Sequence, residues 1–159
     1  MITDVDSLVT TAVTEVFTTM LNMPVRRDPP GTVIRNGEAL VAGSVGFIGT
    51  LSGVVYIYWT ARFARAMTGK MLGLTEKEVE SEEMVNDAVG ELANMVVGYM
   101  KSRFSDHGMP CVLTIPSIVR GSHFKVEGVT STERTVMCFD IADGQQVVVE
   151  ALIKPIKKN

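Results

Sequence analysis

The sequence predicts an α+β fold, with long helices packed on a mostly antiparallel sheet. Three observations carry that reading. Two long stretches, residues 4–22 and 81–105, repeat apolar residues at i, i+3 and i+4. Runs rich in β-branched and aromatic residues, such as Val54-Val55-Tyr56-Ile57-Tyr58-Trp59, read as strands. Short turn signals join neighbouring strands, Gly49-Thr50-Leu51-Ser52-Gly53 and Asp143-Gly144 among them, so the strands pair as hairpins.

In chain order, the first helix spans 4–22, with Val5, Leu8, Val9, Ala12, Val13, Val16, Phe17, Met20 and Leu21 on its apolar side. Thr3 or Asp4 supplies its N-cap, and Asp6 suits the positive helix end. Pro24 follows the stop, Arg26-Arg27 reads as a solvated loop, and Asp28-Pro29-Pro30-Gly31 is a rigid connection. Residues 39–48 and 54–59 form the first hairpin. A second helix, 61–72, turns Phe63, Ala64, Met67, Met71 and Leu72 inward and stops at Gly73.

Thr75-Glu76-Lys77-Glu78 fits a capping box, with Leu74 and Val79 as its staple. Ser81-Glu82-Glu83 then starts the long helix, its acids again at the favourable end, and Gly108 and Pro110 terminate it. Strands follow at 111–115, 123–129, 135–141 and 145–153. The C-terminal pair is apolar enough that its edge needs covering.

Length and composition set the outer limits. A chain of 159 residues fits one domain, 1–159, able to bury roughly 70% of its unfolded surface. Its 46% hydrophobic and 21% charged residues are ordinary for a globular chain. A net charge of −3 leaves no basic stripe for nucleic acid. Apolar runs all fall short of the roughly 18 residues that span a bilayer, so no membrane is expected. The acidic N-terminus is unlike a secretory signal. Two cysteines and ten methionines suit a reducing, cytoplasmic setting.

Most chemistry-bearing residues read blandly. His107 and His123 have no partner at ligand spacing, and Cys111 and Cys138 are 27 positions apart, so no metal site is expected. Both cysteines sit in apolar strand patterns and read as buried thiols, although residue types alone leave a Cys–His nucleophile open. Neither a phosphate-cradling GxGxxG nor a Walker pattern occurs. Met95, Met100 and Met109 read as core filler. Lys154, Lys157 and Lys158 form a solvated basic tail.

The long helix is different. At about 100° per residue, Val85, Ala88, Leu92, Val96 and Tyr99 form one stripe. Opposite it lie Asp87, Glu91, Asn94 and Gly98, where long solubilising lysines and glutamates would be usual. Two carboxylates, an amide and a bare glycine suit close contact. Pattern alone reads this strip equally well as a solvent face with an incidental Asn94, itself a mediocre helix former.

Asp87-x3-Glu91-x2-Asn94, followed after 21 residues by Pro116, resembles the signature of the CheC/CheX/FliY phosphatases of bacterial chemotaxis. The likeness extends over nearly the whole chain, including Phe17-Thr18-Thr19-Met20-Leu21 and the Gly49–Val55 hairpin. In that family the spacing to proline is about 22, a difference of one that a loop absorbs. Some members carry a second site on the first helix. Here Glu15-Val16-Phe17-Thr18 has Thr where Asn would be needed, so the single-site CheX type is the nearest match.

The resemblance implies a phosphatase acting on the phospho-aspartate of a CheY-like response regulator. Asn94 would orient the attacking water, and Glu91 would pair with the regulator's active-site lysine. Asp87 would flank the contact, Gly98 would let the partner's backbone approach, and Pro116 would shape a strand end. The chain itself would bind no cofactor, Mg²⁺ being held by the regulator, and the protein would be a homodimer joined through strand edges. The alternative is a non-catalytic adaptor that binds a regulator or flagellar-switch component through the same helix face.

Overall fold

The computed structural model describes residues 4–29, 38–123, 125–141 and 144–154. In chain order the elements are α1 (Val5–Leu21), β1 (Val25–Arg27), β2 (Leu40–Gly49), β3 (Ser52–Thr60), α2 (Ala61–Leu72), a 3₁₀ turn (Glu76–Glu78), α3 (Glu82–Asp106), β4 (Cys111–Leu113), β5 (Ser117–Gly121), β6 (Glu133–Ile141) and β7 (Gln146–Lys154). The strands make one sheet in the order β1-β6-β7-β3-β2, and β4 and β5 both lie along the outer side of β2. Every strand pair is antiparallel.

Local signals set the helix ends. Asp4 Oδ1 accepts from the Ser7 N–H at 3.0 Å, and Asn22 ends α1 in the left-handed region at φ 49°. Thr60 caps α2 through the Phe63 N–H, and Gly73, at φ 69°, ends it. Thr75 and Glu78 form the capping box, and Ser81 caps α3.

The helices cover one face of the sheet. Val9, Phe17, Met67, Val89, Leu92, Val96, Met100 and Phe104 interlock there with Val41, Val45, Ile57, Trp59, Phe139 and Val149. Alternation puts Ala42, Tyr58, Cys138 and Val148 on the opposite face as a smaller apolar cluster. On that side Tyr58 donates to Glu150 Oε1 at 2.7 Å, and Arg134 lies 3.2 Å from Glu150 Oε2.

Some expectations need correction. The described residues of 123–129 are in no strand; the chain pairs Ser117–Gly121 with β2 instead. Val129 is 81% exposed, and the chain turns just after it, where the Thr132 N–H donates to the Val129 carbonyl at 3.1 Å and Ser131 takes φ 71°. In β5 the apolar Ile118 and Val119 are adjacent, which hides the period of two.

Arg26-Arg27 is no loop either. It lies in β1, where Arg27 reaches Asp6 at 2.7 Å and packs over the Phe139 ring. Leu72 is exposed, and Thr68 and Gly69 take the inner side of α2 in its place. The C-terminal hairpin has the edge cover it was expected to need, and finds it within the chain: β7 lies between β3 and β6, and β1 covers the end of β6. Thr3, Pro30, Gly31, Asp143, Lys157 and Lys158, invoked in the sequence reading, lie outside the described residues.

Candidate functional site

The long helix α3 runs 25 residues. Its apolar side, Val85, Ala88, Val89, Leu92, Ala93, Val96, Val97 and Met100, is buried against the sheet and the other helices. Tyr99, expected in that stripe, is half-buried and accepts a hydrogen bond from Arg103. The side turned away from that core is organised as two parallel ridges of residues four apart, exposed or half-buried except at Gly90, which is buried. One carries Asp87 and Glu91, both exposed. The other reads Asn86, Gly90, Asn94, Gly98: amide, glycine, amide, glycine, with both amides half-buried.

A wall stands against these ridges. Between β4 and β5 the chain passes through Pro116, and a Cβ added at Gly90 would lie 3.6 Å from the Pro116 Cβ and 3.9 Å from the Ile118 Cδ1. Asn86, Asp87, Gly90, Glu91, Asn94, Pro116 and Ile118 together line an open cleft of about 500 Å³. The four sequence-predicted residues Asp87, Glu91, Asn94 and Pro116 therefore meet in one place. Gly98 lies one turn further along the ridge, outside the cleft lining, with open space where a Cβ would be.

Sequence reasoning gave no role to Asn86, Gly90 or Ile118. The four-residue ladder from Asn86 to Gly98 was the available signal for the first two. Ile118 had none, since its approach to α3 depends on where β5 pairs.

Chemically the cleft offers carboxylate acceptors beside carboxamides that both donate and accept. Among the described residues, the side chains of Asp87, Glu91 and Asn94 make no hydrogen bond or ion pair within the chain, so their polar groups are unspent. No group of three or more His, Cys, Asp or Glu that could hold a metal occurs among the described residues. Cys111 and Cys138 are buried thiols that are not joined in a disulfide. Burial pushes both thiols up, the reverse of what a nucleophilic cysteine requires. An adjoining hollow holds Arg62, Arg65 and Arg120, but these are engaged: Arg62 with Glu38 at 3.2 Å, Arg65 with the Glu76 carbonyl at 3.2 Å, and Arg120 with Glu82 at 2.7 Å. Within the described residues no helix is long and apolar enough to cross a membrane.

Comparison with known proteins bears on this arrangement. A family model described as chemotaxis phosphatase CheX matches residues 41–140. The CheC-like superfamily protein from Shewanella sp. PV-4 is similar at a TM-score of 0.79 and 26% identity, over 98% of this chain and 100% of that one. Chemotaxis protein CheX from Vibrio vulnificus gives a TM-score of 0.78 at 23% identity, covering 93% and 95% of the two chains. A chain of the CheX–CheY–BeF3–Mg²⁺ complex from Borrelia burgdorferi gives 0.76 at 21%, covering 96% and 99%. The last two likenesses speak to the fold alone. No curated protein sequence gives a significant match.

Proposed function

The chain belongs to the chemotaxis phosphatase CheX family, and from that premise we propose that it hydrolyses the phospho-aspartate of a CheY-like response regulator in the cytoplasm. One observation carries the reading. Glu91 stands exposed, and Asn94, one turn on, is half-exposed with its amide unspent, on an unbroken helix beside the Pro116 wall. A relative of the same fold was solved as a CheX–CheY complex with BeF3 and Mg²⁺, which supports a CheY-like regulator as the partner.

Phosphoryl transfer asks a protein for positioning and charge stabilisation rather than covalent work. The regulator supplies the acyl phosphate together with its own Mg²⁺ and lysine; this chain supplies order to the water. The Asn94 carboxamide holds a water by hydrogen bonding so that its oxygen meets the phosphorus in line with the departing carboxylate. The O–P bond to aspartate breaks, inorganic phosphate leaves, and the water proton passes to phosphate or solvent. Glu91 pairs with the regulator's lysine and sets the depth of insertion. Asp87 flanks the contact, and Gly98 admits the partner's backbone. Pro116 holds the strand break against Gly90. The chain works as a homodimer, and the outer edge of β4 and β5, with Val112 and Val119 exposed, supports strand-edge pairing as its basis.

The test is phosphate release from a phosphorylated CheY-like regulator, comparing wild type with Asn94→Ala. Loss of stimulated release in the variant supports the reading. Wild type that binds the regulator without speeding release makes the chain an adaptor. A variant that still accelerates release removes the water-orienting role.

A further inference from the structure

Arg120 lies on β5, opposite Val41 in the sheet register, and its guanidinium reaches the first half of α3. Nε and Nη2 both donate to Asn86 Oδ1, at 3.1 and 2.7 Å. Nε also lies 2.7 Å from Glu82 Oε1. Glu82 and Asn86 are neighbours on successive turns, so one arginine ties the strand to both.

The contact also decides which way the Asn86 amide faces. A guanidinium has five N–H donors and no acceptor, so only the amide oxygen can meet it. The NH₂ group is thereby turned away from Arg120. Asn86 lines the cleft, and among the described residues its NH₂ makes no hydrogen bond. The cleft rim therefore carries an unspent donor whose orientation is set in advance.

Asn86 and Asn94 share a ridge, eight residues and about 12 Å apart along the axis. That separation keeps Asn86 away from a phosphorus met by Asn94. Its neighbours Asp87 and Glu91 are both carboxylates, so an anionic acceptor docking there would be repelled. A neutral carbonyl would not. Resting on the phosphatase reading above, we infer that Asn86, aligned by Arg120, donates a hydrogen bond to a backbone carbonyl of the docked response regulator. The pair sets partner fit, and hydrolysis itself proceeds without it.

The substrate for the test is a CheY-like regulator that the wild-type chain dephosphorylates, charged with acetyl phosphate. The same regulator loaded with BeF3 and Mg²⁺ is the binding probe. Asn86→Asp keeps the shape and the acceptor toward Arg120 but replaces the NH₂ with a carboxylate oxygen. KM and Kd are expected to rise about tenfold, the order of one hydrogen bond, with kcat within about twofold of wild type. Asn86→Ala should shift KM and Kd in the same direction. Arg120→Met, which releases the amide, should raise KM severalfold, and Arg120→Lys should restore part of the loss.

Unchanged KM and Kd in Asn86→Asp would overturn the inference, and so would a fall in kcat larger than the rise in KM. So would weakened binding matched by a lowered melting temperature in both Asn86 variants, because the pair would then serve only the fold. Asn94→Ala separates the two levels. If that variant is inactive while the Asn86 variants behave as wild type, this inference alone fails. If no regulator is dephosphorylated by wild type, the phosphatase reading fails and takes the inference with it.

Discussion

A Cβ built on Gly43 of β2 would lie 2.9 Å from the Ala93 Cβ of α3 and 3.1 Å from the Val89 carbonyl oxygen. The helix bearing Glu91 and Asn94 thus rests almost directly on the sheet backbone, and the absence of a side chain at Gly43 sets its height. Gly43→Ala is expected to push α3 outward and cost about 1–3 kcal/mol by overpacking, read as a lowered thermal midpoint. Activity measured well below that midpoint should also fall, since Ala93 immediately precedes Asn94. A variant as stable and active as wild type would show that α3 relaxes freely there.

Glu91 and Asn94 should separate by kinetics. Asn94→Ala is expected to cut stimulated dephosphorylation roughly a hundredfold or more, the scale of lost positioning, while Kd for the BeF3-loaded regulator moves little. Glu91→Ala should weaken that Kd as well as the rate. Stopped assays over a range of regulator concentrations resolve the two.

The two ridge glycines offer a contrast. Nothing lies within 4 Å of a Cβ at Gly98. Gly98→Ala should therefore stabilise the helix by about 0.5–1 kcal/mol while weakening the regulator's docking. At Gly90 an added methyl makes ordinary contact with Pro116, so Gly90→Ala should fold but fill the cleft floor. Chemical denaturation and regulator binding, measured on the same samples, check both.

Glu78 governs one part of the acid response. The Thr75 backbone N–H and then its hydroxyl hydrogen-bond the Glu78 carboxyl and hold it below the ordinary glutamate value. A carboxyl lowered in the folded state stabilises it fully above the unfolded value, and that contribution is lost as pH falls through the folded one. The melting-temperature gap between wild type and Glu78→Gln should be open at neutral pH and close in acid. A gap independent of pH would mean that the capping box is not the cause.

Arg27 and Arg26 are adjacent in sequence and unequal in the fold. Arg27 meets Asp6 at 2.7 Å with only 20% of its side chain exposed, whereas Arg26 is 76% exposed beside Asp140. Arg27→Ala is expected to cost about 1–3 kcal/mol, and Arg26→Ala under about 1 kcal/mol. Equal losses in urea unfolding would contradict the difference in burial.

Periodicity and capping determined much of this protein from sequence alone. The bounds of α1, α2 and α3 follow from apolar spacing, Asp4, Ser81 and Gly73. The outward strip of Asp87, Glu91 and Asn94 follows from 100° per residue. These are local facts, because a residue's neighbours three and four along the chain decide them. Only the tertiary structure decided that Pro116 and Ile118 close one side of that strip, that Arg120 takes hold of Asn86, and that Arg27 belongs to a strand. Each depends on chain segments 20 or more residues apart meeting in a particular register. In β5 the adjacent Ile118 and Val119 leave no alternation to announce that pairing, and it is the packing of the whole sheet that selects it.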